Sequence, residues 1–174
     1  MKKPYFLYVG NAYPHKNLQR AAEAALAARQ TLFIASSRNI FTERLEKMIR
    51  ELRAQDYVKL LGFVPDDKLA ALYRNAIAFV CPSTYEGFGL PGLEAMAAGT
   101  LVLASNIPVF KEIYQDHALY FNPYDFSAIA AAMKDALEMS PSTRTVHIKA
   151  AQKFVRRYSW SQMAKQTLKV YNEA

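Results

Sequence analysis

"YFLYVGNAYPHKNLQRAAEAALAARQTLFIAS", residues 5–36, decides the fold. Two short apolar runs, YFLYVG (5–10) and TLFIAS (31–36), flank a segment from Lys16 to Arg29 in which Leu18, Ala21, Ala22, Ala25 and Leu26 recur at helical spacing. Short apolar runs bounded by turn signals read as buried strands, and the helical recurrence reads as a helix with one buried face. Strand, helix and strand in so little chain make a parallel unit, because parallel strands need a crossover between them.

The same rhythm extends along the chain. Phe41, Leu45, Met48, Ile49 and Leu52 mark a second helix, YVKLLGF (57–63) a third strand, and PDDKLAALYRNA (65–76) a helix for which Asp66 is the expected N-cap. AIAFVCPS (76–83) is a fourth strand, followed by a glycine-rich turn and a helix running to about Ala98, with Gly99 as its stop. LVLAS (101–105), a short helix from Pro108 to Ile113, and ALYFN (118–122) complete the alternation. The last third is helical. Asp125 caps a helix carrying Ile129, Met133 and Leu137, and a second covers about Thr143–Tyr158. Ser159 and Gln162 form a capping box for a third, whose one face holds Trp160, Met163, Ala164, Thr167, Leu168 and Tyr171. Alternating strands and helices predict an α/β fold, a doubly wound, mainly parallel sheet of about six strands, as a single domain over residues 1–174.

Composition agrees with a globular domain. The 174 residues are 52% hydrophobic and 21% charged, and no apolar run reaches the ~18–20 residues that span a bilayer. The start, MKKPYFLYVGN, has two lysines but only a brief apolar stretch and is read as ordinary sequence, not a signal peptide. The single cysteine, Cys81, excludes an internal disulfide and reads as a buried strand residue. His117 and His147 have no acidic or histidine partners at metal-ligand spacing and read as structural. His15 is open between a phosphate contact and a turn residue. The net charge of +7 suits an anionic partner: a phosphate-bearing ligand, an acidic membrane or nucleic acid.

In open parallel sheets ligands bind beyond the carboxyl ends of the strands, so the loops there carry the chemistry. In GNAYPHKN (10–17), Gly10 permits a sharp turn and Lys16, at the expected start of the first helix, offers a point charge for phosphate. Alone, Lys16 reads as an ordinary surface lysine; neither a P-loop nor GxGxxG is present. In GFVPDD (62–67), the backbone at Phe63 and Val64 can meet a flat heterocycle or simply make a strand-to-helix turn. In YEGFGLPGLEAMAAGT (85–100), Pro91 suits a helix start, and Gly87, Gly89 and Gly92 strip side chains from around it. Bare N–H groups at a helix start attract an anion, and Glu86 and Glu94 stand on either side of it. Carboxylates in that setting stay ionised, which opposes a glycosidase pair and favours acceptors for hydroxyl groups. A diphosphate with a sugar on each side matches: a nucleotide sugar.

With these residues in place, the chain resembles the GT-B glycosyltransferases of family 4. Glu86-Gly-Phe-Gly-Leu-Pro-Gly-Leu-Glu94 is similar to their E-x7-E motif, and YVGNAYPHKNL, VKLLGFVPDDKLAALYRNA, FVCPSTYEGFGLPGLEAMAAG and LVLASNIPVFKEI follow the family's order. Such enzymes have two Rossmann-like domains across a cleft, and this chain resembles only the C-terminal, donor-binding one; the N-terminal acceptor-binding domain is expected to be missing. The resemblance implies that Lys16 neutralises the donor diphosphate and that the Gly10 turn makes room for it. It puts the backbone of Phe63 and Val64 against the base, Glu86 at the sugar's reacting carbon, and Gly87 with the Phe88, Gly89 and Leu90 backbone on sugar hydroxyls and phosphate. Glu94 holds the ribose hydroxyls. Glu86 and Lys16 are thus the implied catalytic residues of a retaining hexosyltransferase that needs no metal or other cofactor, because cationic groups and helix dipoles stabilise the leaving diphosphate.

Two departures stand out. Asn11 occupies a place where the family commonly has an arginine, and Ser36-Ser37-Arg38 replaces a frequent glycine pair, so Arg38 is a candidate substitute charge. The implied partners are a nucleotide sugar, GDP-mannose or a UDP-sugar, and the missing domain, in the same chain or in a separate subunit. A glycan or lipid-linked acceptor follows by analogy. The rival readings are a non-catalytic nucleotide-sugar-binding module and peripheral membrane contact through Lys149, Lys153, Arg156 and Arg157 of KAAQKFVRR (149–157), at the inner face of the membrane in an otherwise cytoplasmic protein. Nucleic acid ranks last, because no aromatic-interleaved RNA motif is present.

Overall fold

The computed structural model of the chain describes residues 4–173; Lys2 and Lys3 of the N-terminal reading lie outside them. Six strands, β1 (Tyr5–Val9), β2 (Thr31–Ala35), β3 (Val58–Gly62), β4 (Ala78–Cys81), β5 (Leu101–Ser105) and β6 (Leu119–Phe121), form one sheet in the order β3-β2-β1-β4-β5-β6. Every pairing is parallel, from Tyr5 against Thr31 and Phe6 against Ala78 to Leu103 against Leu119.

The helices are α1 (Leu18–Ala28), α2 (Ile40–Glu51), α3 (Asp66–Asn75), α4 (Leu90–Ala98), α5 (Pro108–Tyr114), α6 (Phe126–Glu138), α7 (Pro141–Val155) and α8 (Trp160–Glu173). Side chains alternate across a strand, and β1 shows the consequence. Phe6 and Tyr8 join the core built with Leu18, Ala21, Ala25, Leu45, Ile49, Ile129 and Met133 from α1, α2 and α6. Tyr5 and Leu7 join the opposite core with Tyr73, Leu93, Met96, Phe110, Tyr114 and Ala151 from α3, α4, α5 and α7. Alanine at 21, 22, 24, 25 and 28 lets α1 lie close on the sheet. Cys81 is buried in β4, and burial pushes its thiol well above the ordinary range.

Several local expectations hold. Gly99 ends α4 in the left-handed conformation, and Asp125 accepts from the Ser127 N–H at the start of α6. Others are corrected. Asp66 is the first residue of α3 rather than its cap; Pro65 takes the cap position, and Asp66 and Asp67 instead oppose the positive end of the helix dipole from its first turn. The helix after α6 starts at Pro141, capped by the Ser140 hydroxyl, because proline fits a first turn that needs no N–H there. At α8, Ser159 accepts from the Gln162 N–H at 3.4 Å, one arm of the expected box. The expected apolar face is present, but every residue from Ser159 to Glu173 is exposed, Trp160, Leu168 and Tyr171 included. His117 packs against Phe154, ring centres 4.2 Å apart, in keeping with a structural role.

Candidate functional site

Strand order reverses between β1 and β4: from β1 the sheet grows one way to β2 and β3, and from β4 the other way to β5 and β6. The two loops leaving that point cannot both stay over the sheet, and a crevice opens between them. Here they are Gly10–Asn17 and Pro82–Gly89. They are stitched together: Thr84 donates its N–H to the His15 carbonyl at 2.8 Å, and the Asn17 side-chain amide donates to Pro82 O at 2.9 Å and Pro123 O at 2.8 Å. Asn17 is buried and left-handed (φ 57°), a conformation asparagine tolerates better than most residues.

That knot corrects the expected position of Lys16. Pro14–Lys16 is a one-turn 3-10 helix, and Asn17 separates it from α1. Lys16 therefore stands immediately before the α1 N-cap rather than in the helix's first turn. It leans across the crevice, where its Nζ meets Glu86 Oε1 at 2.6 Å, and the Ser83 hydroxyl donates to the same oxygen at 2.8 Å. The two charged side chains are only 16% and 15% exposed. The two residues implied as catalytic are thus brought into direct contact.

Gly10 turns the chain at φ 144°, and a Cβ there would come within 3.0 Å of the Tyr8 hydroxyl, which donates to the Asn11 carbonyl at 2.7 Å. Gly10 and Asn11 share a pocket with Ser36, Ser37, Asn39, Gly62, Phe63 and Val64, at the carboxyl ends of β1, β2 and β3. The Phe63 ring is 74% exposed beside it, so a flat aromatic surface accompanies the backbone that the sequence singled out. Arg38, the candidate substitute charge, is not part of that lining; it is exposed and lies 3.6 Å from Glu43.

The glycine-rich turn needs a different explanation from the one read in sequence. At Gly89 (φ 93°) and at Gly92, a Cβ would collide with the Tyr114 hydroxyl, which donates to the Gly89 carbonyl at 2.6 Å. These two glycines therefore make room for buried Tyr114 beneath the turn, a packing constraint the sequence did not announce. Gly87 faces open space, as ligand access requires. Among the described residues, the backbone N–H groups of Gly87, Phe88, Gly89 and Leu90 show no backbone partner. Pro91 follows in the first turn of α4, so this end of the helix offers bare donors. Glu94, one turn further, is exposed and accepts from the Tyr73 hydroxyl of α3 at 3.1 Å. Burial, reinforced by Glu94, holds that phenol far above its ordinary range, so Tyr73 stays a donor. Glu94 itself is not part of the lining of the pocket at the ends of β1, β2 and β3.

Sequence reasoning missed Asn17, Tyr73, Ser83 and Tyr114. Ser83, three residues before Glu86, lies within a segment already read as functional; Tyr73 and Tyr114 look like core aromatics until their hydroxyls are followed. Among the described residues, no cluster of three or more His, Cys, Asp or Glu is placed to hold a metal.

A six-stranded parallel sheet with this strand order, covered by helices on both faces, defines a doubly wound α/β domain. Comparison with known proteins makes the class specific: the family "Glycosyl transferases group 1" matches residues 1–154, and the chain belongs to it. It is 37% identical over 164 residues to the O-antigen chain mannosyltransferase RfbU of Salmonella typhimurium and 32% identical over 173 residues to O-antigen chain mannosyltransferase B of Escherichia coli. These alignments cover 93% and 96% of this chain but 45% of each relative, so the chain spans under half the length of the relatives it matches. Sucrose-phosphate synthase of Thermosynechococcus elongatus superposes with a TM-score of 0.89 at 28% identity, over 99% of this chain and 45% of that one. The fold is that of a GT-B C-terminal domain.

Proposed function

We propose that this chain is the donor-binding domain of a retaining glycosyltransferase. Together with an N-terminal acceptor-binding domain, it moves a sugar from a nucleotide diphosphate to a glycan or lipid-linked acceptor. The observation that carries the reading is the contact of Lys16 with Glu86 at the switch point, beside the bare N–H groups of the 87–90 turn. The donor is GDP-mannose or a UDP-sugar, and the two relatives named as mannosyltransferases favour mannose as the transferred sugar.

The geometry suggests how such a reaction would run. A donor diphosphate entering the crevice competes with Glu86 for the Lys16 ammonium and meets the N–H groups at the α4 start. Departure of the nucleoside diphosphate concentrates negative charge there, and prepositioned donors that need not reorganise stabilise it. Glu86, freed from Lys16 but still hydrogen-bonded by Ser83, is left facing the sugar. Glu94, oriented by Tyr73, accepts from the ribose hydroxyls. All of these groups address the donor. The acceptor would come with the N-terminal domain, and the exposed apolar face of α8 is the surface such a domain would cover. No helix among the described residues is long and apolar enough to cross a membrane, and Lys149, Lys153, Arg156 and Arg157 are exposed.

The test is reconstitution. The chain is assayed for transfer from GDP-mannose and UDP-glucose, alone and joined to the N-terminal domain of a family member, with the anomeric configuration of the product read by NMR. Little or no transfer alone, and transfer with retention when joined, is the expected result. Robust transfer by the isolated chain, or inversion, would contradict the proposal. Nucleotide binding without transfer in the joined form would favour a non-catalytic module, the reading that Asn11 in place of a second cation supports.

A further inference from the structure

The pocket at the ends of β1, β2 and β3 contains an unusual atom. Among the described residues, Ser36 Oγ is the buried side-chain polar atom without a hydrogen-bond partner. Ser36 is 7% exposed, and its backbone N–H is already used, donating to the Gly62 carbonyl at 3.1 Å. The orphan is therefore the hydroxyl alone. Leaving a buried hydroxyl unpaired is unfavourable, and such groups in native proteins are few. Alanine would remove the penalty, so the stability of the free protein gives no reason for serine here.

The surroundings give one. Ser36 lines the same pocket as Gly10, Asn11 and Val64, and the exposed ring of Phe63 stands beside it. Asn39, on the next turn of chain, cannot use its side-chain oxygen on a ligand, because that oxygen accepts from the N–H groups of Phe41 and Thr42 to cap α2. The Asn11 side-chain oxygen accepts from Tyr13 N–H. A serine hydroxyl is different: it is uncommitted, both donates and accepts, and reorients by rotation about one short side-chain bond.

We propose that Ser36 is a specificity-determining residue of the donor site: its hydroxyl turns into the pocket and hydrogen-bonds the polar edge of the nucleobase of a nucleoside diphosphate whose ring lies against Phe63. This rests on the donor-site reading above and adds to it a side chain that reads the base. Backbone contacts at Phe63 and Val64 accept any flat ring, whereas a hydroxyl that exchanges an unpaired state for a paired one rewards the base that presents a partner at the right place.

The test is titration calorimetry of the full chain and its Ser36→Ala variant with GDP, UDP, ADP and inorganic pyrophosphate, together with thermal melting of both ligand-free proteins. The expected result has three parts. One nucleoside diphosphate binds the wild type better than the other two, and Ser36→Ala weakens that nucleotide about fivefold, a typical single hydrogen bond. Pyrophosphate, which has no base, binds both proteins equally. The ligand-free variant melts at the same temperature as the wild type or higher. A merely structural serine would give the opposite pattern, a lower melting temperature and unchanged nucleotide affinity, and that outcome would overturn the proposal. Equal weakening of pyrophosphate and nucleotide would also overturn it, by placing Ser36 at the phosphates. If wild type binds pyrophosphate but no nucleotide, or binds nothing, the donor-site reading fails and this inference with it; if wild type discriminates among nucleotides and the variant does so equally, the donor-site reading stands and only this inference fails.

Discussion

The two ends of the crevice are built on opposite plans. At the β1/β4 end, the charged and polar groups satisfy one another before any ligand arrives: Lys16 with Glu86, Ser83 with Glu86, Asn17 with two carbonyls, Thr84 with His15. At the β1/β2/β3 end, Phe63 is bare and Ser36 has no partner. The difference follows from the cost of burial. An unpaired charge in a half-buried crevice costs far more than an unpaired hydroxyl, so Lys16 needs the internal counter-ion that Glu86 supplies. A neutral hydroxyl can wait alone. Under the proposed function, ligand binding at one end would be an exchange of partners, and at the other a gain of one.

The largest effect should come from breaking the support under the exchange end. Gly92→Ala pushes a methyl group into Tyr114, which holds the Gly89 carbonyl, and should destabilise the fold by about 3 kcal/mol. Thermal melting should register a drop of roughly 6–12 °C; an unchanged melting temperature would mean that the turn does not rest on Tyr114.

Next in size is Lys16→Ala. Removing the cation should weaken pyrophosphate and every nucleoside diphosphate alike, by about 10- to 100-fold, the loss of a charge-assisted bond. A loss that depends on the base would erase the division between the two ends. A smaller and opposite effect sharpens it. Glu86→Gln keeps the shape but replaces the ion pair with a neutral acceptor, so Lys16 is given up more easily and diphosphate affinity should rise by about fivefold in calorimetry, the ~1 kcal/mol by which a hydrogen bond to a charged group exceeds a neutral one. In a joined, active enzyme the same variant should transfer sugar poorly despite binding better. Weaker diphosphate binding by Glu86→Gln would show that Glu86 positions Lys16 rather than competing for it.

Much of the exchange end was legible in the sequence, because its charges lie in distinctive loops. Glu86 and Glu94 bracket a run of glycines before Pro91, and Lys16 follows a glycine turned out of the first strand. The fold was legible for a simpler reason: strands 5–9, 31–35 and 101–105 are continuous apolar runs, as strands buried on both faces must be. What stayed hidden depends on three-dimensional neighbours. Nothing local says that Asn17 reaches Pro82 and Pro123, 65 and 106 residues away. Gly89 and Gly92 carry the same letter as Gly87, yet only the first two lie against Tyr114. Lys16 falls just before the α1 cap because Asn17 takes a left-handed conformation there, which propensity does not announce. Ser36 was noticed only as a replacement for glycine, since an orphan hydroxyl is visible only when everything around it has been placed.

The most direct test of the donor-binding account is thermal melting of the wild type and of Glu94→Ala with GDP, UDP and ADP at one common concentration, where a nucleotide present at ~100 times its dissociation constant should add ~2.7 kcal/mol of stability. The account predicts that one nucleotide stabilises the wild type and that the shift, read at the same nucleotide concentration, collapses in the variant, because Glu94 no longer accepts from the ribose. No shift with any nucleotide, or an equal shift in both proteins, would contradict it.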